Sequence, residues 1–251
     1  MSGPAFSAAS SHALHFVFEW LAMAIGVQLY RLERRRAGLG GMVQPGAYAV
    51  VMGCILGAAI GNKLVFWIEY PHLWRAAHGI GVLMAGQSIV GGLLGGLLGV
   101  ELAKKFTGQT ASTGDAFVLP LIVAMAFGRI GCFLAGLTDA TYGNPTTLPW
   151  GVDFGDGVAR HPTQLYDIAF ILIWGGLLQA SRRRWSARPG FTFKLYLAGY
   201  LAWRLGIETI KPLPFDYGLG ISGVQLVCIV ALALYLPIVA RAASTPVKTI
   251  P

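Results

Sequence analysis

Arg129 stands where an arginine is expensive. Of the fifteen residues before it only Asp115 is charged, and it is followed by Ile130, Gly131, Cys132, Phe133 and Leu134. A guanidinium in such a run must find a carboxylate, a backbone carbonyl, water or a bound anion. A structural ion pair and an anion site both fit, and Gly128, Gly131 and Gly136 leave open space that favours the anion. Arg204 and Glu208 lie four residues apart in another apolar run, flanked by Tyr200 and Trp203. On a helix they share a face, either as a self-neutralising pair or with Glu208 orienting Arg204 toward a phosphate. The third cluster, Arg160, His161, Gln164 and Tyr166, surrounds Pro162 and Thr163 at a helix start, where exposed N–H groups attract anions. His161 taken alone fits a buried structural role equally well.

These charges need positioning by an apolar frame. The chain has 251 residues, 55% hydrophobic and 12% charged, about half the charged fraction of a soluble domain. It reads as a single membrane domain spanning 1–251. Apolar runs long enough to cross the bilayer fall near 12–30, 46–69, 79–103, 115–135, 163–180, 192–210 and 219–240, so the expected fold is an all-α polytopic bundle of about seven transmembrane helices.

The net charge of +8 forms short clusters between those runs and no continuous basic face, so nucleic acid is not an expected partner. Arg31, Arg34, Arg35, Arg36, Lys104, Lys105, Arg182, Arg183, Arg184, Arg188, Lys194, Arg241 and Lys248 alternate with the helices against Arg75, Arg160 and Lys211 on the other side. By the positive-inside rule the N-terminus is extracytoplasmic and the C-terminus cytoplasmic. The opening stretch MSGPAFSAASSHALHF has neither the positive start nor the cleavage site of a signal peptide, so the first helix is expected to be retained.

The polar loop from about Gly136 to Pro162 then lies outside, where it can cap a cavity. Gly91, Gly92, Gly95, Gly96 and Gly99 form two rows on the third helix, suited to close helix packing or to lining a slot for lipid. Glu19, Lys63 and Gln225 are further polar residues in apolar runs, with Glu19 and Lys63 expected to neutralise each other. Cys54, Cys132 and Cys228 have no metal-ligand spacing, so no disulfide framework, metal or soluble cofactor is expected.

GRIGCFLAG, LPWGVDF and RHPTQLYD, in that order, resemble the GRxGNFxNGE, PWGMxFP and RHPSQLYE signature of the bacterial prolipoprotein diacylglyceryl transferases. WRLGIETIKP, SGVQLVCI and AGQSIVGGLLG are similar to further blocks of that family, so the likeness covers most of the chain. The resemblance implies an enzyme of the bacterial inner membrane. It would move a diacylglyceryl group from phosphatidylglycerol, or a similar anionic phospholipid, to a lipobox cysteine in a prolipoprotein signal peptide and release glycerol phosphate. It implies that Arg129 and Arg204 hold the phosphate, with Glu208 and His161 in the catalytic group. Arg160, Gln164, Tyr166, Cys132, Gly91, Gly92 and Gln225 would line the substrate.

The chain departs from the family pattern at several positions. Val90 replaces the histidine of the HGGL block, Cys132 replaces the asparagine after GRxG, and Ala135, Gly136 and Leu137 replace an Asn-Gly-Glu run. Ala59, with Lys63 one turn on, stands for a second-helix arginine, and Val17 for a first-helix tyrosine. Valine accepts no proton, so thiol activation falls to His161, Glu208 or the small thiolate fraction of a free cysteine. These losses also fit a lipid-modifying relative with another acceptor, with Cys132 as an optional nucleophile. A non-catalytic lipid-binding or transport protein is a third reading, weakened by the lack of matching interrupted segments in two halves.

Overall fold

The computed structural model describes residues 8–44, 46–75, 81 and 86–244. Residues 1–7 of the opening stretch, part of the third apolar run and Lys248 therefore lie outside the described residues. The fold is helical: α1 (Ala8–Arg36), α2 (Ala47–Glu69), a short α3 (Pro71–Arg75), α4 (Ile89–Thr107), α5 (Asp115–Ala135), α6 (Thr163–Ser181), α7 (Phe191–Ile207) and α8 (Gly223–Ser244). The long loop is not wholly irregular. It holds a 3-10 turn at Gly136–Asp139 and a two-stranded antiparallel hairpin, β1 (Val152–Asp153) with β2 (Ala159–Arg160).

A helix occupies each of the seven apolar runs. Four of them, in α1, α2, α5 and α8, are long and apolar enough to cross a membrane. The others have 17 to 19 residues and carry polar groups, such as Glu101, Lys104 and Lys105 in α4 and Asp167 in α6. The outer surfaces of α4 and α6 are nonetheless apolar, with Leu98 64% and Ile173 65% exposed, as expected of a bundle whose solvent is hydrocarbon. Val90, Val118, Ile171, Leu197, Leu201 and Cys228 form the closed interior.

Two helix pairs organise the bundle: α1 lies along α5, and α2 along α4. Glycine makes the second pairing possible. Gly53, Gly57 and Gly61 of α2 meet Gly99, Gly95 and Gly91 of α4 backbone to backbone. A Cβ on Gly95 would fall 2.2 Å from the Gly57 carbonyl oxygen, and one on Gly91 would fall 2.1 Å from that of Gly61. Gly92, one residue round, faces open space. Gly91 is therefore a packing glycine, while the Gly92 surface is bare. The first pairing has its own close approach, since a Cβ on Gly131 would fall 2.7 Å from Phe18 Cβ.

Polar locks tie the helices at both ends. At one end Arg182 of the turn after α6 pairs with Glu33 of α1 at 3.3 Å, and Asp115 of α5 accepts the backbone N–H groups of Gly190 and Phe193 at 2.6 and 3.0 Å where α7 begins. At the other end Glu69 closes α2 by accepting the Val224 N–H of α8 at 2.6 Å. Consecutive long helices therefore run in opposite directions, and the basic clusters around Arg34, Arg182 and Lys104 mark one end.

The glycine row has a direct test. Gly95→Ala must push α2 and α4 apart and should lower stability by about 1–3 kcal/mol. Gly92→Ala should be neutral or slightly stabilising, because its Cβ meets nothing and alanine favours helix. Thermal unfolding of the detergent-solubilised variants distinguishes the two positions.

Candidate active site

The cluster sits where α5 and α7 end and α6 begins. The helix lengths therefore bring Arg129, near the last turn of α5, and Arg204, in the last turn of α7, to one level with Asp167 in the first turns of α6. Arg129 Nε lies 2.9 Å from Asp167 Oδ2, and Arg204 Nη1 lies 3.5 Å from the same oxygen. The other oxygen, Oδ1, accepts the Trp203 indole N–H at 2.7 Å. One carboxylate thus holds both guanidinium groups. Glu208 pairs with Arg204 Nη2 and, at 3.5 Å, with Lys211 Nζ.

Along this string of contacts three cations alternate with two carboxylates, leaving one positive charge in excess. The nearby carboxylate, Glu69, faces the start of α8, whose N–H groups and dipole balance it. All five side chains are largely buried, so each charge depends on its partners. Among the described residues Arg204 Nε has no acceptor and Nη1 meets Asp167 only at ion-pair distance, without a hydrogen bond, and Tyr200 lies beside both arginines. Unfilled guanidinium donors with a surplus positive charge suit a phosphate. Burial lowers the Lys211 pKa, and Arg204 pushes in the same direction.

The loop after α5 is fastened across this end. Thr141 accepts from Thr163 Oγ1 at 2.6 Å through its carbonyl and from Gln164 Nε2 at 3.2 Å through its hydroxyl. Asn144 bridges the loop to both neighbours: its N–H reaches Ile210 O at 2.8 Å, its carbonyl accepts the His161 N–H at 3.1 Å, and Nδ2 reaches Lys211 O at 3.3 Å. Gln164 is fully buried, and its Oε1 has no hydrogen-bond partner.

The remaining sequence candidates take other places. His161 Nδ1 lies 3.3 Å from the Tyr166 hydroxyl, which also accepts the Trp150 indole N–H at 2.8 Å, so these three form a rim rather than part of the arginine cluster. Arg160 grips Asp156 with two nitrogens, each at 2.7 Å, and stacks over Tyr142. That pairing holds the Asp156 carboxyl below its usual range. Gln225 caps α8 through Ser222 and reaches Leu205 O at 3.3 Å. Cys132 Sγ lies 4.0 Å from Arg129 Nη1.

Glu19 does not neutralise Lys63. α1 packs mainly on α5, Glu19 pairs with His15 one turn back on its own helix at 3.3 Å, and Lys63 donates to Gly86 O at 2.7 Å. Val90 is fully buried in the apolar interior.

Sequence reasoning missed Asp167 as the hub. The available signal was a carboxylate three residues after Gln164, on the same helical face of an apolar segment. It also missed the meeting of His15 with Asp139 at 3.0 Å, for which no local pattern exists.

The family model described as Prolipoprotein diacylglyceryl transferase matches residues 12–241. The phosphatidylglycerol--prolipoprotein diacylglyceryl transferase of Nitratidesulfovibrio vulgaris is 33% identical over 195 residues, 72% of this chain and 70% of the relative. The enzyme of the same description from Nitrosomonas europaea is 32% identical over 204 residues, 76% of this chain and 69% of its own length. The one from Geobacter sulfurreducens is 30% identical over 223 residues, 82% of each. With a family match over nearly its whole length, across both arginines and the carboxylate between them, this chain belongs to the prolipoprotein diacylglyceryl transferase family.

Proposed function

We propose that this protein transfers a diacylglyceryl group from phosphatidylglycerol to the cysteine thiol of a prolipoprotein signal peptide, in the bacterial inner membrane. The observation that carries the reading is the convergence of Arg129 and Arg204 on Asp167, with Arg204 donors left open. The same proposal seats all seven long helices across the membrane, N-terminus outside. It is supported by the alternating helix directions and by the basic residues gathered at the end opposite the site.

In the reaction the thiol sulfur bonds to the glyceryl carbon and the carbon–oxygen bond breaks, its electron pair leaving with the phosphate. A phosphodiester with one negative charge becomes a monoester with up to two. Guanidinium donors fixed beforehand stabilise that growing charge more than they stabilise the bound lipid, which is the requirement for catalysis. Asp167 fixes them by holding Arg129 and Arg204 at one oxygen, and Glu208 holds Arg204 from the far side. Glu208 is thereby engaged with Arg204 and Lys211, and His161 with Tyr166, so neither takes the place of the absent histidine at Val90 without giving up its contact.

A second reading, the same chemistry delivered to a different acceptor, is favoured by one observation: valine fills the interior at that position. Lipid extracts of cells with and without the gene, compared by mass spectrometry, separate the two by the product that carries the diacylglyceryl group.

Three outcomes are expected in a strain depleted of its own transferase, with thioether-linked diacylglycerol on a reporter lipoprotein as the readout. Arg129→Ala and Arg204→Ala each lower transfer about 100- to 1,000-fold, the scale seen when one donor to a developing anion is removed; wild-type protein giving no product would overturn the proposal. Asp167→Ala lowers transfer and also costs roughly 3–5 kcal/mol of stability, because it leaves two guanidinium groups buried without their shared partner, whereas Asp167→Glu keeps the charge and recovers part of both. Arg160→Ala, which breaks the pair with Asp156 and the stacking on Tyr142 outside the arginine cluster, changes transfer far less than Arg204→Ala.

A further inference from the structure

A second cluster stands beside the arginines. His15 of α1, Cys132 of α5 and Asp139 in the turn after α5 come from separate parts of the chain. One donor atom from each lies within 4.8 Å of the other two. His15 Nδ1 faces Asp139 Oδ1 at 3.0 Å, and its Nε2 faces Glu19 Oε1 at 3.3 Å. Thr141 Oγ1 donates to the other Asp139 oxygen at 2.5 Å. The cluster depends on Gly131: with no side chain there, Phe18 settles against the α5 backbone and α1 carries His15 over Cys132.

The donor set is an imidazole nitrogen, a thiol sulfur and a carboxylate oxygen, all half-buried. Zinc takes these three ligand types, and a site with three protein ligands keeps a fourth position for a substrate atom. A ligating histidine commonly has its other ring nitrogen held by a carboxylate, the place Glu19 occupies. The neighbouring cation, Arg129, approaches Cys132 at 4.0 Å, but Asp167 balances its charge from the opposite side. The spacing of the cysteines in the sequence gives no hint of this, because the ligands come from two helices and a turn.

We propose that His15, Cys132 and Asp139 bind a divalent cation of the zinc class, and that its open position takes the thiol of the acceptor. The second half rests on the transferase reading. A coordinated thiol gives up its proton to solvent, and the sulfur then supplies the electron pair for the new bond to the glyceryl carbon. The broken carbon–oxygen pair departs on the phosphate facing Arg129 and Arg204. The cation would do the work left undone by Val90.

The test uses the full chain in detergent, stripped with chelator and titrated with Co²⁺, which reports a thiolate ligand by its charge-transfer absorption. One equivalent per chain with that absorption is expected, displaced by Zn²⁺ and lost in Cys132→Ser. Glu19→Gln, which keeps all three ligands, is expected to weaken binding about 10- to 100-fold. Absent or non-stoichiometric binding by the wild type, or an absorption unchanged in Cys132→Ser, overturns the site, whatever the stability of the variants.

Transfer from phosphatidylglycerol to a signal-peptide thiol is then compared before and after chelation. A drop restored by Zn²⁺ supports the thiol-binding role. Equal transfer in both states, with cobalt still bound stoichiometrically, overturns that role and leaves the transferase reading standing. Cobalt binding with no transfer in either state sinks the transferase reading and, with it, the thiol role, while the cation site remains.

Discussion

A single carboxylate oxygen, Asp167 Oδ2, holds two buried arginines, and the arrangement of the bundle follows from that demand. A guanidinium is tolerated in an apolar interior only with partners in good geometry. Three helix ends must therefore meet at one level, and the Trp203 indole must supply a hydrogen bond to the other oxygen. The loop after α5 cannot drift, because Asn144 ties it to the ends flanking the carboxylate. Burial makes the contacts obligatory, and it also keeps bulk water from competing for the donors that remain open on Arg204.

What the sequence disclosed, and what it withheld, follows the range of each interaction. Arg204 and Glu208 were readable because four residues on a helix guarantee a shared face. The apolar runs were readable because each is a local property. The loop's hairpin was less so, since its strands are only two residues long and depend on the grip of Arg160 on Asp156. Glu19 misled because its partner, His15, lies one turn back on its own helix, while Lys63 sits on α2 and finds a backbone carbonyl instead. Asp167 was visible as a carboxylate out of place, but its two partners come from helices on either side of it in sequence.

The departures from the signature that the sequence resembles reach α1, α2, α4, α5 and the turn after α5, and two of them bear on the site. Val90 and Cys132 fall on α4 and α5, one sealed in the apolar interior and the other close to Arg129. A histidine at Val90 would need a polar partner in a region that now closes without one. On the proposed reading the two halves of the site answer to different constraints: one to a phosphate, the other to whatever brings the nucleophile.

The contact between α2 and α4 carries a mechanical consequence. Where backbone rests on backbone, few side chains lie between, Ala58, Val65 and Ala103 among them, and the two helices behave as one stiff plank. On the proposed reading, a phospholipid reaching the arginines passes along some other seam of the bundle.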